Sequence, residues 1–288
     1  MKLTARNELT KAQFEISINK IMFGNFGIAD IVAYYCSKID LHCRQELQRG
    51  ILVSERDYVS ALSTRIRDEL SRHLRIPCHS QTVRPRVENE NGVDGIIIFK
   101  WNDEVKAGLL EAKRPQITIN NHPWDYLTSR NTSHFSEQIN NQHKWLGAFA
   151  LWEMFFNEGQ SGFASPPFDY FGSSCVWHKN AYDFMNSQEL IFNVWNSDKL
   201  KILLNDSGTN LYSIVYDIIS CKAGKRFKID SKNQTARFIS PINDNIVMDI
   251  PLPFEVGAER DERLDSYMRE YGLSSYTFIN LDNIEKYK

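Results

Sequence analysis

The chain reads as an α/β protein, with a mixed central β-sheet flanked by helices and an added helical region at the N-terminus. Three observations lead there. Two apolar runs, Gly92 to Phe99 and Val105 to Leu110, flank the polar centre Lys100 to Glu104 and predict a β-hairpin. Segments with helical spacing precede and follow it, from Ser54 to Leu74 and from Ser133 onward. The 288 residues, ordinary in composition, suit one large domain, or a core with appended subdomains, around a sizeable interior.

Three stretches follow one another, without internal repeats or low-complexity linkers. Residues 1–75 read as a helical N-terminal region. A Gly24-Asn25-Phe26-Gly27 break there precedes an amphipathic run from Ile28 to Cys43, whose Ile31, Val32, Tyr35 and Ile39 are expected to pack on the core. The next helix has Ser54 as its N-cap and Asp57 three residues on, much like a capping box, with Tyr58, Leu62, Ile66 and Leu70 in helical register. Residues 76–220 form the core, opening on a strand that carries Arg84 and Arg86 and running into the hairpin. A polar loop, Gln116 to Tyr126, leaves the hairpin. The helix from Ser133 then turns apolar through Leu146, Phe149, Leu151, Trp152 and Phe155, which reads as a continuing buried helix. A Gly- and Pro-rich insertion, Gly159 to Gly172, precedes a candidate strand from Ser173 to His178. Residues 221–288 read as an extension packed on the core, with a strand at Asn245 to Ile250, a helix at Ala258 to Tyr271 and a last strand at Tyr276 to Leu281.

Composition narrows the function classes. Cys36, Cys43, Cys78, Cys175 and Cys221 are scattered, without a Cys-x-x-Cys pair, which argues against zinc and disulfide frameworks and for a reducing, cytoplasmic setting. No segment resembles a signal peptide, and no apolar run approaches bilayer length, so no membrane association is expected. The formal net charge of −2 means that any nucleic-acid contact must come from local basic clusters.

The hairpin carries the chemistry. A turn centred between Asn102 and Asp103 sets Asp94 opposite Glu111, where two like charges are destabilising unless something positive lies between them. Lys113, two residues beyond Glu111, shares its face. Two carboxylates match the ligand count of Mg²⁺, which completes its octahedron with water and phosphate oxygens. Such an ion activates a bound water and polarises phosphorus, while the ammonium orients the nucleophile or stabilises developing charge. The expected reaction is phosphodiester hydrolysis.

Val93-Asp94, followed seventeen positions downstream by Glu111-Ala112-Lys113, resembles the signature of the PD-(D/E)XK nuclease superfamily, with Val93 in place of its proline. The resemblance implies a restriction-endonuclease-like core, Asp94 and Glu111 as metal ligands, and Lys113 as the catalytic lysine. It further implies a helix before the first strand, often bearing an acidic residue, and a helix after the lysine strand. Glu55 then joins the site, or merely complements the positive end of its helix dipole. On the following helix Gln138 is the residue expected near the site; otherwise Gln138 and Gln142 form an exposed polar face. The activity implied is a Mg²⁺-dependent endonuclease acting on double-stranded DNA, most similar to type II restriction or phage-defence enzymes, working as a homodimer with one site per subunit. The alternatives are a structure-specific or transposon-associated nuclease, and a noncatalytic DNA-binding module on the same core.

Candidate DNA contacts are Arg84, Arg86, Arg114 and the group Lys222, Lys225, Arg226 and Lys228 around Gly224. The last group is not interleaved with acids along the sequence, which favours phosphate contact over a merely solvated face. It lacks the spacing of a nucleotide-cradling loop. His178-Lys179-Asn180 hints at a one-metal histidine nuclease, but without the rest of that signature it reads as structural.

Overall fold

The predicted hairpin forms the middle of a mixed sheet. The computed structural model describes residues 27–84, 91–114, 124–156, 172–254, 256–257 and 259–282. Strand β2 (Gly95–Trp101) turns at Asn102 into β3 (Glu104–Lys113), in the expected register, with Gly95 paired to Leu110 and Trp101 to Glu104. Asn102 takes a left-handed φ of 50°, a conformation that its short polar side chain tolerates.

Around this hairpin lie β1 (Cys78–Thr82), β4 (Ala150–Phe155), β5 (Ser174–Trp177), β6 (Gly208–Asn210) and β10 (Ser275–Asn280), in the order β1-β10-β2-β3-β4-β5-β6. β10 and β2 run parallel, as do β3 and β4; the other neighbours are antiparallel. A meander of β7 (Phe227–Asp230), β8 (Thr235–Ile239) and β9 (Val247–Pro251) joins at the start of β3, where Glu104 and Val105 pair with Lys228 and Phe227.

The alternation of strand side chains divides the interior. Ile97 and Phe99 face one layer with α1 (Ile28–Gln48), α2 (Glu55–Leu74) and α6 (Leu211–Ile219). Ile96 and Ile98 face the opposite layer, with the meander and α7 (Glu262–Glu270). A third apolar cluster joins α3 (His134–His143), α4 (His178–Ser187) and α5 (Ser197–Ser207) to Phe155 and Val176. Each large side chain so buried contributes roughly 1.5–3 kcal/mol. No described helix is long and apolar enough to cross a membrane.

Three local expectations change. Helix α3 stops at His143, the chain turns at Gly147 with φ of 89°, and the apolar run beyond is β4, not more helix. A strand buried on both faces is apolar almost throughout, so its sequence lacks the period that separates strand from helix. Arg84 lies just beyond β1 rather than in it, and the C-terminal helix starts at Glu262. Arg86, Ala258 and most of the Gly159 to Gly172 insertion lie outside the described residues.

Candidate active site

Asp94 immediately precedes β2, and its backbone continues the hairpin register. Its N–H donates to the Leu110 carbonyl at 2.8 Å, and its Oδ2 accepts from the Ala112 N–H at 2.9 Å. On the other side its carbonyl accepts from the Ser274 N–H and hydroxyl, each at 2.8 Å. The approach to Asp94 depends on Gly92, which has φ of 65° and lies so close to α3 that a Cβ would stand 2.6 Å from the Gln138 carbonyl oxygen. Only glycine fits there without strain. Gln142 turns inward to donate to the Gly92 carbonyl, while Gln138 reaches the site.

Glu111 and Lys113 point from one face of β3 into a nearly closed space, 2% and 8% exposed. Glu111 Oε1 accepts from Lys113 Nζ at 2.6 Å and from Gln138 Nε2 at 2.7 Å. The Lys113 ammonium also lies 5.2 Å from the centre of the Phe135 ring. Glu55 heads α2, whose N-cap Ser54 accepts from the Asp57 N–H at 3.0 Å. Its carboxylate accepts the Arg114 N–H, directly after Lys113, and the Arg114 guanidinium donates to the Val53 carbonyl. Asp94, Glu111, Lys113, Glu55 and Gln138 thus converge at one end of the sheet.

The electrostatics are those of a pocket with excess negative charge. Burial raises the Glu111 carboxyl well above its usual range, and Asp94 raises it further against the pull of Lys113. Burial also raises Asp94 and Glu55, opposed in both by Lys113. Asp94 is further held down by the Ala112 N–H, by Arg56 and by a hydrogen bond with Glu111, so the two carboxyls are within each other's reach. Burial would lower the Lys113 ammonium, but Glu111, Glu55 and Asp94 outweigh it and raise Lys113. Three carboxyls thus share the buried Lys113 ammonium, with Arg56 also bearing on Asp94 and Arg114 on Glu55.

That donor set suits a hard divalent cation, since every acidic ligand atom is an oxygen. A buried oxygen of the Gln138 amide, Oε1, has no hydrogen-bond partner among the described residues and adds a further acceptor nearby. Among the described residues no group of three His, Cys, Asp or Glu side chains is arranged to hold a metal ion. An ion held by Asp94 and Glu111 would therefore complete its shell with water and substrate oxygens.

The basic residues divide by position. Val83 donates to the Ser274 carbonyl, and Ser274 bonds Asp94, so exposed Arg84 lies at the same end of the sheet as the acidic pocket. Arg114 is there too. Lys222, Lys225, Arg226 and Lys228 lie at the opposite end, near the start of β3, roughly 20 Å away along a strand rising about 3.3 Å per residue. Acids pair three of them: Lys222 with nearby Asp217 at 3.4 Å, and, from far along the chain, Arg226 with Glu104 at 3.4 Å and Lys228 with Asp103 at 3.8 Å.

Arg56, Phe135 and the fully buried pair Glu153 and His178 also bear on the site, outside the motif around Asp94 and Glu111 that the sequence offers. Glu153 had left a signal, a lone charge inside the apolar run Ala150-Leu151-Trp152-Glu153-Met154-Phe155. No protein-family model matches the chain, and neither a curated protein nor a solved structure matches it.

Proposed function

We propose that this chain is a Mg²⁺-dependent endonuclease that hydrolyses DNA phosphodiester bonds, of the restriction or phage-defence type, with a site similar to that of PD-(D/E)XK nucleases. The observation that carries this reading is the convergence of Asp94, Glu111 and Lys113, with Glu55 and Gln138, in one acidic pocket at the end of a mixed sheet.

Asp94 and Glu111 are the residues that would hold the ion, and a bound divalent ion supplies Lewis acidity and a more acidic water. Lys113 acts as a cation. Its ammonium, held by Glu111 Oε1 at 2.6 Å, is suited to stabilise charge on the attacked phosphate. Gln138 anchors Glu111 through its amide N–H, and Glu55 ties the start of α2 to the residue after Lys113. Arg84 and Arg114 are suited to backbone phosphates flanking the scissile bond. The basic group around Gly224, at the other end of β3, is too distant to share that phosphate and would contact the duplex farther along. A homodimer would bring two sites to the two strands, a step that rests on analogy with enzymes of this type.

The test is incubation of the purified chain with supercoiled plasmid, linear duplex, branched DNA and RNA, in Mg²⁺ or EDTA, beside Asp94→Ala. Mg²⁺-dependent duplex cleavage, lost in the folded variant, is the expected result, and fixed fragments would indicate restriction-type action. Cleavage of junctions alone would indicate a structure-specific enzyme instead. Full-rate cleavage by folded Asp94→Ala would overturn the site assignment.

A further inference from the structure

Glu153 and His178 form a polar pair that no step above uses. Both side chains are fully buried, and His178 Nδ1 lies 3.0 Å from Glu153 Oε1. The pair stands beside the acidic pocket. Glu111 on β3 and Glu153 on β4 are register partners in a parallel pair, so their side chains leave the same face of neighbouring strands about 4.8 Å apart. Glu153 is one of the charges that bear on Glu111. Its second oxygen, Oε2, is buried without a hydrogen-bond partner among the described residues, as is His178 Nε2.

A purely architectural role accounts poorly for this pair. Two apolar side chains of similar volume would join β4 to α4 without the desolvation cost of a buried carboxylate, and such replacements are often neutral or stabilising. A carboxylate held at one oxygen and open at the other instead adds negative potential to its neighbour. His178 is the first residue of α4, so the positive end of that helix dipole also favours an anion at Glu153.

We propose that Glu153, oriented by His178, is a positioning residue whose buried charge beside Glu111 tightens the pocket's hold on a divalent cation. This rests on reading Asp94 and Glu111 as the residues that hold the ion. Glu153 itself need not touch the ion, because a unit charge a few ångströms from Glu111 acts strongly through a medium of low dielectric. His178 acts through Glu153 by fixing its rotamer.

The experiment is a Mn²⁺ titration of the metal-stripped full chain, followed by electron paramagnetic resonance of the free ion. Wild type should bind Mn²⁺, and the Asp94→Asn/Glu111→Gln double variant should not. Glu153→Gln should bind about tenfold more weakly, with Glu153→Asp closer to wild type. His178→Asn, whose amide N–H replaces the ring donor, should bind better than His178→Phe, and this pair decides the matter if Glu153→Gln does not fold. A folded Glu153→Gln with wild-type affinity overturns the inference and leaves the Asp94 and Glu111 reading intact. Failure of wild type to bind, or binding that survives the double substitution, overturns both.

Discussion

Lys113 carries a formal charge into a nearly closed pocket, and three carboxylates explain how it remains charged there. Removing it as Lys113→Ala should slow single-turnover cleavage by about 100-fold or more, the scale of losing one oriented charge stabiliser, while DNA binding in an anisotropy titration persists. The acidic residues set the pH dependence. Glu111, Asp94 and Glu55 are all raised on folding, so their contribution to stability is present in acid and is lost as pH rises through the raised values. The expected outcome in EDTA is that wild type loses more thermal stability between pH 5 and pH 8 than Glu111→Gln does. Mg²⁺ should recover much of that loss at pH 8 by binding the folded state. Equal pH profiles for the two proteins in calorimetry would show that Glu111 is not under this strain. At this scale the sequence was informative where chemistry is local. Asp94, Glu111 and Lys113 follow from strand alternation and one turn, whereas Glu153 depends on a parallel pairing that no turn specifies.

Among the elements, the segment from Gly92 to Asp94 holds the site together, because it touches α3, β3 and the start of β10 within three residues. Gly92→Ala combines a left-handed φ with a Cβ against the Gln138 carbonyl, and should cost roughly 2 kcal/mol or more in denaturant unfolding. It should also lower cleavage, since Gln138 and Asp94 would shift together. Ser54→Ala removes one N-cap acceptor from α2 and should cost about 1 kcal/mol. The hairpin and the capped helices were legible because turn residues, caps and period are local signals. The identity of β4 was not. Its run is buried on both faces and apolar but for Glu153, and the turn at Gly147 and the pairing with β3 and β5 separate it from a continuation of α3.

For the whole molecule, the sequence predicts a sheet but not its strand order. β10 lies between β1 and β2, joining Ser275 to Gly95 across most of the chain, and non-local pairings of this kind leave no mark on local pattern. Charge behaves likewise: the group around Gly224 has no acid interleaved in its sequence, yet Asp103 and Glu104 meet it in space from more than a hundred residues away. Changing Lys222, Lys225, Arg226 and Lys228 together to alanine should lower DNA affinity and flatten its salt dependence, at most by the few phosphates they reach. Single-turnover cleavage should suffer far less than in Lys113→Ala. The central claim, that Asp94 and Glu111 share one divalent ion, is tested most directly by diffraction from crystals of the full chain soaked in Mn²⁺, read at the manganese absorption edge. An anomalous peak within coordinating distance of both carboxylates, about 2.1 Å, is the result expected. An ordered Mn²⁺ held elsewhere, with this pocket empty at saturating metal, would contradict it.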